Sequence, residues 1–132
     1  MVIRITKWTI RMLPLVYIIT IWLQSSLFNP QTIDAKPQLG TILELGHFIL
    51  FGILYVLIYL AWLTYGTMTW KKEVVIIVFT LLCALGDELH QYYVPYRSAS
   101  AVDMVKNGVG ILVAWFAIRI ISKIRVKSNL NI

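Results

Sequence analysis

Long apolar runs, separated by short polar connections, dominate the pattern of hydrophobic and polar positions along this chain. The runs are about as long as a helix needs to cross a ~30 Å hydrocarbon core, and none alternates with the period of two that is typical of a strand. They predict an all-α fold, an integral membrane four-helix bundle with four transmembrane helices in a single domain that covers residues 1–132. The predicted spans are approximately residues 12–28, 42–65, 74–93 and 102–119.

The first predicted span begins after a short basic segment, residues 1–11. Basic residues before an apolar run are also typical of a cleaved signal peptide, but no small-residue cleavage site follows here. We therefore expect this first span to be retained. Pro14 falls near its predicted beginning, where a missing backbone N–H costs a helix least.

The composition favours lipid as the solvent for most of the surface. The chain is 59% hydrophobic and 14% charged, whereas a soluble domain averages about 25% charged residues. So few charges cannot cover an apolar core with a polar shell. The single cysteine, Cys83, excludes an intramolecular disulfide and a Cys-rich zinc site.

The net charge of +6 has two readings, nucleic-acid binding and the positive-inside bias of membrane proteins. The basic residues flank apolar runs and form no stripe on an amphipathic helix, so we expect no nucleic-acid partner. They are concentrated before the first span, between the second and third, and after the fourth. This predicts that both termini are cytoplasmic and that the first and third connections face outward.

Ionisable and amide side chains collect at the outer ends of the predicted spans, above all in residues 87–110. Asp87 would lie about 20 Å into a ~30 Å core, too deep to reach either surface easily. Charged groups at such a depth are expected to face one another inside the bundle. The side chains at this level are Glu44, His47, Asp87, Glu88, His90, Gln91, Arg97, Asp103, Lys106 and Asn107.

Part of this stretch follows the pattern E-x-x-Q-x-x-x-P-x-R-x-x-S-x-x-D-x-x-x-N-x-x-G, formed by Glu88, Gln91, Pro95, Arg97, Ser100, Asp103, Asn107 and Gly110. The pattern, with His47-Phe48 in the second span, resembles the VanZ-like family of small bacterial membrane proteins. The chain departs from that family at Glu44, where a basic residue is frequent, and at Tyr96, where glycine is frequent. The resemblance implies a multi-pass protein of the bacterial cytoplasmic membrane. It also implies a contribution to glycopeptide resistance of the teicoplanin type.

Three functions suit the polar cluster. It can bind an anionic envelope lipid or a cell-wall glycolipid, through Glu88, Gln91, Arg97, Asp103, Asn107 and His47. It can be the site of a membrane-embedded hydrolase acting on a lipid-linked envelope substrate, with catalytic candidates His47, Glu88, His90 and Asp103. It can also be structural, in an accessory subunit where Glu88, Arg97 and Asp103 form a salt-bridged clamp. For the hydrolase, Ser98 and Ser100 are available nucleophiles, but no pattern places either beside a histidine.

Metal binding is a weaker reading of the same residues. Glu44, His47, Glu88, His90 and Asp103 have suitable ligand types, but a single Glu-x-x-His pair is a weak signal. We expect no metal and no organic cofactor. The expected partners are membrane lipids or a lipid-linked envelope precursor, and the oligomeric state is left open.

Overall fold

The described part of the chain folds into four α-helices. The computed structural model describes residues 2–27, 37–95 and 100–130, of which residues 2, 37–45, 47, 126, 127, 129 and 130 are described by their backbone alone. The helices are α1 (Val2–Leu27), α2 (Pro37–Leu63), α3 (Trp70–Tyr93) and α4 (Ala101–Leu130). The described residues contain no strand, so the prediction of an all-α protein with four helices is confirmed.

Helix α1 begins earlier than the sequence pattern predicted, at Val2, so its basic first turns are helical as well. Pro14 therefore lies inside the helix, and its predicted place near the helix beginning is wrong. An interior proline removes one i→i−4 hydrogen bond and crowds the carbonyl one turn back. Pro14 is buried, so this interruption of α1 is covered by protein.

The helices run alternately up and down, which gives the bundle two ends. At the Ser100 end, α1 and α3 finish and α4 begins; at the Glu73 end, α2 finishes and α3 begins. Helices α2 and α3 each contact every other helix, while α1 and α4 do not contact each other within the described residues. The core between them is formed by Ile21, Phe51, Leu54, Tyr55, Ile58, Ile76, Ala84 and Ile111.

The parallel helices α2 and α4 meet through small residues. A Cβ atom added to Gly110 would overlap the backbone carbonyl of Phe48, and one added to Gly52 would lie 3.1 Å from the Gly110 carbonyl oxygen. Small residues at such contacts let two backbones approach closely. The glycine that ends the sequence pattern thus has a packing role.

At the Glu73 end, an arginine ties α1 to the end of α2. The Arg11 Nε donates to Thr64 Oγ1 at 2.8 Å, and its guanidinium lies 3.7 Å from the centroid of the Tyr65 ring. A cation is favourable beside the exposed carbonyls of a helix C-terminus. The chain then turns at Gly66, whose φ of +136° is a conformation that favours glycine.

Within the described residues, two helices are long and apolar enough to cross a membrane. The segments Ile3–Leu27 and Ala101–Arg125 have mean hydropathies of 1.4 and 1.6, and most of their residues are exposed on the bundle surface. Helix α3 also carries an exposed apolar stripe, formed by Val74, Val75, Val78, Phe79, Leu82, Leu85 and Leu89. Contiguous exposed apolar surface of this extent marks contact with a membrane or a partner.

Candidate functional site

A buried hydrogen-bond network joins α1 to α3 near the Ser100 end. The Ser25 hydroxyl donates to Asp87 Oδ1 at 2.7 Å, and the Gln91 amide donates to Asp87 Oδ2 at 2.8 Å. The same amide nitrogen lies 3.1 Å from Ser25 Oγ, which closes a three-residue ring. Asp87 is 1% exposed and, within the described residues, accepts hydrogen bonds from these two side chains alone. The ring therefore sets the rotation of α1 against α3.

The next residue of α1, Ser26, lies beside a histidine. Ser26 Oγ lies 2.8 Å from His90 Nε2, and the His90 ring stacks on Trp22 with centroids 4.8 Å apart and planes 8° apart. The Ser26 hydroxyl also lies 2.9 Å from the Trp22 carbonyl oxygen. If it donates there, His90 Nε2 must carry the proton and donate to Ser26. If the hydroxyl turns to His90, Nε2 is unprotonated and accepts.

A second network joins α3 to the beginning of α4. Glu88 Oε2 accepts the backbone N–H of Ser100 at 3.0 Å, and Ser100 Oγ accepts the backbone N–H of Asp103 at 3.3 Å. Ser100 is thus the N-cap of α4, and both carboxylates lie at the positive end of the helix dipole. Asp103 also pairs with Lys106, with 3.1 Å between Oδ1 and Nζ. Helix capping accounts for much of the E…S-x-x-D part of the sequence pattern.

Asn107 lies one helical turn beyond Asp103 and is completely buried. Neither its Oδ1 nor its Nδ2 has a hydrogen-bond partner among the described residues. An unsatisfied buried amide costs about 1–3 kcal/mol. The amide has both a donor and an acceptor to offer a bound molecule.

The sequence-predicted site residues therefore fall into separate groups. Asp87 and Gln91 face α1. Glu88 and Asp103 both contact Ser100 at the N-cap of α4. His90 contacts Ser26 of α1. Arg97 and the side chains of Glu44 and His47 lie outside the described residues, so the salt-bridged clamp remains a prediction. Within the part of the chain that the structure describes, no group of three His, Cys, Asp or Glu side chains could hold a metal ion.

A family model described as VanZ/LLP1 matches residues 2–122, nearly the whole chain. The chain belongs to the VanZ/LLP1 family. The resemblance drawn from the sequence pattern is thereby confirmed. Family membership and the two apolar helices together indicate a membrane protein. No curated protein and no solved structure matches this VanZ/LLP1 chain.

Two site residues of this VanZ/LLP1 protein escaped the sequence reasoning. Ser25 and Ser26 lie inside the first predicted span and were not among the predicted site residues, yet they provide the contacts to Asp87 and His90. Their place at the end of the first run, on the expected level of Asp87, was a usable signal. Adjacent serines in a span are common, however, and the pattern alone gives them no partner.

The sequence pattern also did not predict a polar group at the Glu73 end. Glu73 was assigned to the connection before the third span, but it lies in the first turn of α3 and is 8% exposed. Its Oε2 accepts hydrogen bonds from Trp115 Nε1 and Arg119 Nε, each at 2.9 Å. Arg119, at the end of the fourth predicted span, therefore ties α4 to α3.

Proposed function

We propose that this VanZ/LLP1 protein spans the bacterial cytoplasmic membrane four times, with both termini in the cytoplasm and the Ser100 end facing outward. Helices α2 and α3 contain 27 and 24 residues, so each is about 36 Å or more in length, enough for a ~30 Å hydrocarbon core. The apolar stripe of α3 would face lipid. The basic residues of the Glu73 end, Arg11, Lys71, Lys72 and Arg119, would then lie at the cytoplasmic side.

The polar groups of the Ser100 end would recognise an anionic envelope lipid or a cell-wall glycolipid. The observation that carries this proposal is the buried Asn107 amide, which has no partner among the described residues. Sugar hydroxyls and phosphate oxygens are suitable partners for such an amide. Lys106, on the same end of α4, and Arg97 would supply positive charge for the anionic group. Through this ligand the protein would lower susceptibility to a glycopeptide such as teicoplanin.

The variant Asn107→Leu tests whether the amide serves a ligand. Leucine has the same branched shape and number of side-chain heavy atoms and removes the unsatisfied amide, so the melting temperature should be unchanged or higher. Protection of a susceptible bacterial host against teicoplanin should nevertheless fall to the level of the host without the protein. Melting temperature in detergent, membrane abundance and inhibitory concentration are measured together. Full protection by the Asn107→Leu variant would contradict a ligand at this amide.

Two charge variants complete the same experiment. Glu88→Gln keeps an oxygen that can accept the Ser100 N–H and removes only the charge, while Arg97→Gln removes the predicted anchor. Both should lose protection at normal abundance. Lys7→Gln, an exposed change of one charge near the other end, should keep it. Loss of abundance in both charge variants would instead support a structural or accessory role.

A hydrolase is the second candidate, and the contact between Ser26 and His90 favours it. With the hydroxyl turned to His90, Ser26 Oγ would attack the carbonyl carbon of a lipid ester while His90 Nε2 takes the proton. His90 would return that proton to the departing alcohol, and water would release the acyl group from Ser26. An apolar surface groove of about 400 Å³ runs from Ile18 along α1 to Ser26 and would accommodate an acyl chain.

A fluorophosphonate probe distinguishes this candidate from a pure binding site. The probe should label Ser26 with loss of fluoride, and His90→Gln should slow labelling by about 100-fold, the lower range for general-base catalysis. Thr20→Val, which changes another exposed hydroxyl of α1, should leave the labelling rate unchanged. Peptide mass mapping identifies the labelled residue. Absence of label on Ser26 in the folded protein would exclude it as an activated nucleophile.

A further inference from the structure

A groove at the Glu73 end, remote from the site discussed above, combines an apolar floor with a basic rim. It encloses about 460 Å³ between α2, the connection after it and α4. Tyr59, Met68 and Ile118 form the floor. Arg119, Ser122 and Lys123 form the rim on one side of α4, with Glu73 at the inner wall. We call this the Glu73 groove.

The arginine of the groove is held in place by three neighbours. Its Nε and Nη2 both lie 2.9 Å from Glu73 Oε2, and its guanidinium lies 5.5 Å from the ring centroids of Trp70 and Trp115. A guanidinium has five N–H donors, so these contacts leave donors on its other edge. The side chain of Arg119 is 38% exposed and lines the groove. The group is therefore positioned before any ligand binds.

A buried hydroxyl lies behind the floor. Tyr55 precedes Tyr59 by one helical turn, and the centroids of their rings are 6.3 Å apart. Tyr55 is completely buried, and its hydroxyl has no hydrogen-bond partner among the described residues. A buried hydroxyl without a hydrogen-bond partner is rare in the core of a native protein. Tyr55 does not itself line the groove, but it lies one helical turn from Tyr59 of the floor, so the core behind the groove contains an unsatisfied polar group.

We propose that the Glu73 groove binds the phosphate of an anionic phospholipid from the adjacent leaflet. Arg119, Lys123 and the Ser122 hydroxyl are suitable donors to phosphate oxygens, and the apolar floor suits the glycerol and the first acyl carbons. Two cations and one carboxylate give the groove a charge of +1, which complements a phosphodiester monoanion better than a zwitterionic head group. This proposal rests on the topology proposed above, which puts the groove at the cytoplasmic leaflet, at the end of the bundle that carries the basic residues.

The test compares phosphatidylglycerol with phosphatidylcholine on the full-length protein in detergent, by native mass spectrometry. The unaltered protein should retain phosphatidylglycerol at least about fivefold better, the effect of one good charge-assisted contact. The double variant Ser122→Ala, Lys123→Gln should lose that preference. Both side chains are exposed, so folding is unaffected, and the melting temperature checks this.

The matched control is Arg125→Gln, which removes one charge from the same helix two residues further on. Arg125 is exposed and does not line the groove, so its variant should keep the preference. Equal loss in Arg125→Gln and in the double variant would show general attraction to a basic surface and overturn the proposal. Equal retention of the two lipids by the unaltered protein would overturn it as well.

Discussion

Replacing Gly110 by alanine should destabilise the protein by about 3 kcal/mol, the upper part of the range for overpacked cores. The added Cβ would overlap the Phe48 carbonyl, a backbone atom that cannot turn away as a side chain can. Helices α2 and α4 would have to separate along their contact at Gly52, which lies against Gly110. Unfolding by denaturing detergent in mixed micelles, followed by circular dichroism, measures the change.

Gly108 provides a control two residues away on the same helix. A Cβ there would meet only Leu81 Cδ2, at an ordinary distance of 3.9 Å. Gly108→Ala should therefore raise the free energy of unfolding by about 0.5–1 kcal/mol, because alanine favours a helix over glycine. Gly110→Ala should lower the free energy of unfolding, and Gly108→Ala should raise it. Equal stability of both would mean that α2 and α4 do not approach as closely as the structure has them.

Replacing Asp87 by alanine should cost about 3 kcal/mol, since it removes a charged acceptor from two buried donors. Ser25 and Gln91 would keep their polar groups in the interior without the carboxylate that binds them. Within the described residues α1 has no contact with α4, so α1 would depend on its remaining contacts with α2 and α3. The free energy of unfolding in mixed micelles measures the effect.

A double-mutant cycle isolates the contact itself. Ser25→Ala, Asp87→Ala and the double variant should give a coupling of about 1–2 kcal/mol, because the serine hydroxyl donates directly to the carboxylate. Leu89→Ala, at an exposed position two residues from Asp87, should change stability by about 0.5 kcal/mol or less. A coupling near zero would mean that Ser25 and Asp87 do not interact in solution.

Much of the sequence pattern shared with the family has a structural explanation in this chain. Glu88, Ser100 and Asp103 form the beginning of α4, and Gly110 forms its contact with α2. Asn107 has no such explanation, because it forms no hydrogen bond with the described residues. This contrast is why the ligand hypothesis is tested first at Asn107.

The predicted fold was correct in class and in helix number because apolar run length and the lack of alternation report directly on helices. The positions of the helix ends were less well predicted. The helices extend beyond the apolar runs, to Val2 in α1 and to Leu130 in α4, because the Lys and Arg residues that flank the runs are themselves good helix formers. That extension turned Pro14 from a first-turn residue into an interior one.

The sequence predicted at which end of the bundle the polar side chains collect, but not which side chains contact one another. Each residue rotates a helix by about 100°, so neighbours such as Asp87 and Glu88 face different helices. Asp87 meets Ser25 of α1, and Glu88 meets Ser100 at the beginning of α4. Spacing shows which side chains share one face of a helix. It does not show which helix that face meets.

The sequence by itself determined that the chain is helical and rich in lipid-compatible surface, and it identified the family. These properties follow from composition, run length and residue spacing, which are local along the chain. Only the tertiary structure decided the serine contacts of Asp87 and His90, the capping role of Glu88, and the pairing of Glu73 with Arg119. Those contacts join residues far apart in the chain, and they depend on how each helix is rotated and how closely glycine lets two helices approach.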